Sequence, residues 1–214
     1  MAKHTALIGG GGHALSLLDI LPSSAEVAGY VDLSPTPILE GTVPYLGDDE
    51  AFEATCPSSD WQIIVTLVSG SDCSLATRRR VIERYAPYHS PVTVAPSAIV
   101  SPSATLGAGT AVFHRAVVNA ATSIGRHCVV NTGAIVEHGC AIGDNVFIGP
   151  GAVICGGVTI GDDTYIGAGA VVKPCMKIGS GCVIGAGGVV VSPLPPGGTY
   201  VGIPAKKLSQ ASLT

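Results

Sequence analysis

From Val94 to Val190 every sixth residue is aliphatic: Val94, Val100, Leu106, Val112 and so on to Ile178, Ile184 and Val190, sixteen uninterrupted hexads. Taking that residue as the first place, the fifth place is mostly small, as at Ala98, Ala104, Thr110, Ala116, Cys128, Ala134 and Ala152. The second place is often glycine, as at Gly107, Gly125, Gly143, Gly149, Gly161, Gly167, Gly179 and Gly185. A period of six fits neither a helix nor a flat sheet. It fits a prism of short strands on three faces, with a corner after each hexad, and hexapeptide periods mark parallel β-helices. The aliphatic residue points inward, the small residue fills the narrow interior beside it, and the second-place glycine is read as easing the turn, where positive φ is otherwise costly. Three hexads make one coil of about eighteen residues, so the array predicts a little over five coils stacked about 4.8 Å apart.

The composition agrees with a thin aliphatic prism: 12% charged residues, 5% aromatic and 29 glycines in 214 residues. A net charge of −4 leaves no basic footprint for a nucleic acid. With no 18-residue apolar span and no signal peptide, the chain reads as cytoplasmic, without a membrane partner. Of seven cysteines, Cys128, Cys140 and Cys182 occupy the small inward place and read as reduced core residues; there is no CxxC pair.

Before the prism, Thr5 to Ile8 reads as a strand, followed by Gly9-Gly10-Gly11-Gly12-His13-Ala14 and an amphipathic run from Leu15 to Leu21. Strand, glycine loop and helix open a Rossmann-like βαβ unit, in which backbone amides approach a phosphate at a helix N-terminus. A second strand, Val27 to Val31, ends at Asp32, about twenty residues after the loop, where an acidic side chain commonly takes a ribose hydroxyl. Asp48 to Thr55 reads as a short helix, Ile63 to Val68 as a third strand, Ser69 to Asp72 as a loop, and Thr77 to Tyr85 as a helix. That helix carries Arg78, Arg79, Arg80 and Arg84, read as a solvated face rather than a phosphate clamp. The chain thus divides into an α/β unit, residues 1–90, and a β-helix, residues 91–214. The first half is too short for two mononucleotide halves, so it suits one nucleotide rather than NAD. The bland readings are a ligand-free βα turn for the glycines and a helix-start residue for His13.

The GGGGHA opening, the unbroken hexads, the segment Asn131-Thr132-Gly133-Ala134-Ile135-Val136-Glu137-His138 and the closing Val201-Gly202-Ile203-Pro204-Ala205-Lys206 together resemble the bacterial sugar-nucleotide acyltransferases. The resemblance covers essentially the whole chain and is nearest to acetyl-CoA-dependent N-acetyltransferases of UDP-, GDP- or dTDP-linked 4-amino-4,6-dideoxysugars. It implies a left-handed β-helix, a Rossmann-like sugar-nucleotide domain and a homotrimer.

The chemistry also follows from the repeat. His138 sits at a third place, which points outward, stacked between Ala120 and Gly156 at eighteen-residue spacing. An imidazole takes a proton from an attacking amine near neutral pH, and a glycine amide one coil away can bind the developing oxyanion. The resemblance matches His138 to the family's general base, Gly156 to its oxyanion donor and Asn131 to a residue that orders the site. It also places an acidic residue directly after the base; here Gly139 stands there, and Glu137 precedes, as a supporting carboxylate at most. Acetyl-CoA is expected along a groove between neighbouring β-helices, past the amides of Gly156, Ala168 and Ala186. Gly9, Gly10, Gly11, Gly12, His13 and Asp32 are expected to hold the sugar nucleotide. His114 either joins the site across a subunit boundary or is a surface residue. His114, His127 and His138 are spaced 13 and 11 apart, which does not match the β-helical carbonic anhydrase pattern, and no metal is expected. The alternatives are O-acetylation of a sugar or sialic acid hydroxyl, and a non-catalytic nucleotide-binding scaffold. Small or apolar outward residues, Ala120, Thr132, Pro150 and Ala168, are expected to face the trimer partners.

Overall fold

The structure is a computed structural model describing residues 4–22, 26–68 and 75–208; the expected loop at Ser69 to Asp72 lies outside the described residues. The first part is a small parallel α/β unit. β1 (His4–Ile8) lies between β2 (Val27–Val31) and β3 (Trp61–Val65), all parallel. Helix α1 (Gly12–Ile20) buries Ala14, Leu17 and Ile20 on one face. Helix α2 (Asp49–Thr55) starts at Asp48, whose carboxylate accepts the Ala51 N–H at 2.9 Å. Helix α3 (Ala76–Arg84) buries Ile82 and, one turn before it, Arg78.

The prism begins at Thr93 and follows the hexads strand by strand. Its first sheet runs through Val94, Val112, Val130, Ile148, Ile166 and Ile184, and its second through Val100, Val118, Val136, Ile154, Val172 and Val190. The third runs through Leu106, Ile124, Ile142, Ile160 and Ile178. Every pair is parallel and eighteen residues apart, as with Val129 and Phe147, Ile135 and Val153, and Ala141 and Thr159. First- and fifth-place side chains form one continuous buried core, including Cys128, Cys140 and Cys182. At its start the core is open, with Val94 40% exposed because no coil lies beneath it. A closing hairpin, Gly198–Val201 with Lys206–Lys207, extends the first sheet and buries Tyr200 against the other end of the core.

The glycines do not do what the repeat suggested. Positive φ falls at the fourth place, not the second: Gly133 has φ 67° and Gly151 φ 66°. The second-place glycines answer instead to close packing of successive coils. A Cβ on Gly161 would stand 2.5 Å from the backbone nitrogen of Ser180, and one on Gly107 2.5 Å from the carbonyl carbon of Gly125. Six fourth places hold other residues in the left-handed region: Arg115, Ala121, His127, Asn145, Asp163 and Cys175, at φ 54° to 60°. A left-handed residue with a Cβ costs about 1–2 kcal/mol, more than the entropy that glycine loses on folding. Ala121→Gly is therefore expected to raise stability by about 0.5–1 kcal/mol, opposite to the usual sign for glycine. Denaturant unfolding checks this, and a loss of that size would contradict the turn geometry.

The α/β unit packs on the outside of the first sheet. Leu7, Ala14, Leu17 and Ile20 share an apolar cluster with Ala111, Phe113, Val129 and Phe147. The outward column of the second sheet has no such cover among the described residues. It reads Ile99, Val117, Ile135, Val153, Val171 and Val189, with Ile99 exposed and the rest half-buried. The third sheet's outward column is polar or small: Thr105, Ser123, Ala141, Thr159 and Lys177. Among the described residues no helix is long and apolar enough to cross a membrane.

Candidate active site

The chemistry-bearing residues lie on the edges of the prism. His138 and Gly156 stand one coil apart on the edge between the second and third sheets, since each lies two residues beyond a second-sheet aliphatic residue. The Nε2 end of the exposed imidazole lies against Gly156: a Cβ there would come 2.7 Å from Nε2 and 2.8 Å from Cε1. Glycine is thus required beneath the ring for a steric reason. The His138 carbonyl accepts the Gly157 N–H at 2.9 Å, which locks the two coils in register. The Gly156 N–H donates no bond among the described residues, so a half-buried, unbonded amide stands beside an exposed imidazole.

Glu137 does not reach the ring. Its carboxylate accepts the backbone N–H of His138 at 3.4 Å, and among the described residues no carboxylate bonds the imidazole. Asn131 sits on the preceding edge, between the first and second sheets, and its amide oxygen accepts the Thr132 N–H at 2.7 Å. On that same edge stand His114, Thr132, Pro150, Ala168 and Ala186. Ala168 and Ala186 are exposed, and their N–H groups donate no bond among the described residues. Within one chain, then, Gly156 lies on one edge and Ala168 and Ala186 on another. Thr132, Pro150 and Ala168, together with Ala120, line edges rather than an open face.

His114 is tied down at 2.7 Å from the Ser97 hydroxyl and 3.1 Å from Asp19 on α1, so it braces the α/β unit against the prism. His127 occupies the third edge, between the third and first sheets. Three histidines on three edges of one chain have no common centre, and no group of three potential metal ligands stands together among the described residues.

In the glycine loop, Gly10 is buried while Gly11 and Gly12 are exposed, with open space where their side chains would be. Gly11 is the N-cap of α1, and no side chain caps the helix there. An exposed helix start with bare amides suits a phosphate. Asp32 lies beside the loop, its carboxylate accepting the Gly10 N–H at 2.6 Å and the Leu33 N–H at 2.7 Å. His13 turns away from the loop opening. Its ring packs 4.9 Å from that of Phe113 on the prism, and its Nε2 is buried without a partner among the described residues. Burial, and secondarily the Arg78 cation, lowers its pKa to about 4, so it is neutral there.

Of the α3 arginines, Arg80 and Arg84 are exposed as expected, while Arg78 is buried and Arg79 half-buried. Arg78 is 3% exposed and donates to the Leu67 carbonyl at 2.8 Å, the His127 carbonyl at 2.6 Å and the Asn145 side chain. Arg79 donates to Asp163 at 2.8 Å. Arg84 pairs with Glu53 on α2, and Arg80 with Thr77. One signal for these contacts was legible: His127, Asn145 and Asp163 are successive fourth places eighteen residues apart, where much of the array has glycine.

The profile described as bacterial transferase hexapeptide (six repeats) matches residues 121–156, 139–174 and 157–192. A sequence comparison with curated proteins found no match. Among solved structures, the acetyltransferase domain of PglB from Neisseria gonorrhoeae in complex with acetyl coenzyme A is 33% identical, with a TM-score of 0.86 over 96% of this chain and 99% of that one. PerB from Caulobacter crescentus, in complex with CoA and GDP-perosamine, is 34% identical, with a TM-score of 0.85 over 98% and 99% of the two chains. A variant of the Caulobacter GDP-perosamine N-acetyl transferase with a histidine replaced by alanine, also holding CoA and GDP-perosamine, is 33% identical over 98% and 99%, with a TM-score of 0.86.

Proposed function

The chain belongs to the bacterial hexapeptide-repeat sugar-nucleotide N-acetyltransferases, and on that premise we propose that it transfers an acetyl group from acetyl-CoA to the 4-amino group of a nucleotide-linked 4-amino-4,6-dideoxysugar. The observation that carries this reading is the His138 imidazole lying on the Gly156 backbone, base and amide together on an open edge. The unprotonated amine attacks the thioester carbonyl carbon. Negative charge gathers on the carbonyl oxygen, where the Gly156 N–H meets it. A ring nitrogen of His138 takes the proton from the attacking nitrogen. The intermediate collapses, the carbon–sulfur bond breaks, and CoA leaves as thiolate, to which the proton returns. The balance needs neither a metal nor an acyl-enzyme. Glu137 contributes by holding the His138 backbone, Asn131 by ordering its own turn.

The α/β unit works as a Rossmann-like holder for one nucleotide. Gly9 shapes the loop at φ 110°, Gly10 is pinned by Asp32, and the amides of Gly11, Gly12 and His13 take the phosphates. The His13 side chain supports the loop from behind. Acetyl-CoA is a cytoplasmic metabolite, and the reading puts the chain in that compartment.

The split between edges supports a homotrimer of left-handed prisms. The second sheet carries the uncovered aliphatic column, and its two bordering edges carry His138 with Gly156 and Ala168 with Ala186. Packing that sheet around a threefold axis buries the column. The same packing sets the base of one chain against the CoA amides of the next, which also leaves Asn131 and His114 near the neighbour's His138.

The test is turnover of acetyl-CoA with UDP-, GDP- and dTDP-linked 4-amino-4,6-dideoxyhexoses, followed by thiol release and product mass. One of them is expected to gain an acetyl group that survives hydroxylamine, as an amide does. A hydroxylamine-labile product would mean O-acetylation, and no CoA release with any of them would leave a scaffold.

A further inference from the structure

Arg78 is a buried cation whose three acceptors among the described residues come from both halves of the molecule. The Leu67 carbonyl belongs to the segment just after β3, and its backbone nitrogen stands 3.1 Å from where a Cβ of Gly9 would be. The other two acceptors, the His127 carbonyl and the Asn145 side chain, belong to consecutive coils of the prism. Asn145 is itself held, donating to Asp163 at 2.7 Å and to the Leu75 carbonyl at the start of α3 at 3.4 Å. Asp163 in turn accepts from Arg79. The three prism residues all lie in the left-handed region. Such strain persists where the surroundings hold it and often marks a functional position.

We propose that Arg78 is a positioning residue: through His127 and Asn145 it fixes the α/β unit, and with it the glycine loop, at one height along the prism, and so decides where the bound sugar presents its amine. Only the kinetic consequence rests on the function proposed above; the tie itself does not. The guanidinium fork suits this task because its donors point in fixed directions at separate acceptors, which a lysine ammonium cannot reproduce. His13 and His127 flank the same cation, and its charge contributes to keeping both neutral. The arrangement thus holds a cation without a direct carboxylate partner among the described contacts, satisfied by carbonyl and amide oxygens.

Two variants of the full chain test this. Arg78→Met removes the tie from the helix side. Asn145→Gly removes one acceptor while giving the turn a residue that its φ of 54° favours, so the prism keeps its geometry if Arg78→Met folds poorly. The substrate is whichever UDP-, GDP- or dTDP-linked amino sugar the wild type acetylates fastest. A small misplacement of reacting groups is expected to lower kcat/KM for it about 10–100-fold in either variant, while the KM for acetyl-CoA stays within about twofold. Arg78→Lys is expected not to restore it. Hydrogen exchange is expected to quicken in the glycine loop and α1 and to stay unchanged in the prism strands. Unchanged kcat/KM with unchanged exchange overturns the proposal. So does a joint rise in both KM values with faster exchange throughout the prism, which a merely structural arginine would give. If the wild type acetylates none of the sugars, the proposed function fails by itself, and the exchange pattern alone decides for or against the tie.

Discussion

His138→Ala is expected to lose about 10²–10⁴-fold in kcat, the usual scale for removing a general base, while the fold and CoA binding survive. The side chain is exposed and outside the continuous core, so its removal opens no cavity. What the ring's backbone contributes, the carbonyl bond to Gly157, stays in place. The loss should therefore appear in kcat and kcat/KM for the sugar, with little change for acetyl-CoA. His138→Gln separates the roles further: it retains a polar group over Gly156 but takes up no proton, so it should be nearly as slow as alanine. A variant with near-full kcat at saturating substrate would remove His138 from the reaction. A variant that also loses CoA affinity would instead assign the histidine to ligand binding.

A mixture of two dead chains is expected to regain activity that neither has alone. His138→Ala lacks the base; Ala168→Arg fills the other edge, where an exposed amide is expected to meet the pantetheine arm. These edges border the second sheet from opposite sides, so one chain cannot close the site on itself, and a neighbour packed on that sheet can. Random exchange of equal amounts makes about three quarters of the trimers mixed, and each mixed trimer has one intact site of three, so about a quarter of wild-type activity returns. The recovery should follow the kinetics of subunit exchange, and mass measurement should show a trimer throughout. If each site lay within one chain, mixing would restore nothing. A monomeric mass at full specific activity would end the shared-site reading.

Much of this architecture was legible because the repeat is local and self-reinforcing. Each hexad presents one aliphatic and one small residue inward, and identical neighbours above and below fix its register at eighteen residues. That register alone stacked His138 under Gly156, buried Cys128, Cys140 and Cys182, and put the three histidines on three different edges. The α/β unit was legible in outline for the same kind of reason: strand, glycine loop and helix are short-range signals, although β3 ends at Val65, three residues earlier than its apolar run suggested. Where the period was silent, the tertiary structure decided. Second- and fourth-place glycines look alike in a sequence, but one yields to the backbone of the next coil and the other to its own φ. The helix arginines read as solvated because desolvating a cation is costly. Arg78 is buried because acceptors 49 and 67 residues away converge on it, and no local pattern announces them. His13 packs on Phe113, a hundred residues on, for a like reason. Contacts within the array inherit its period; contacts between the array and the α/β unit have none, and exist only in the tertiary structure.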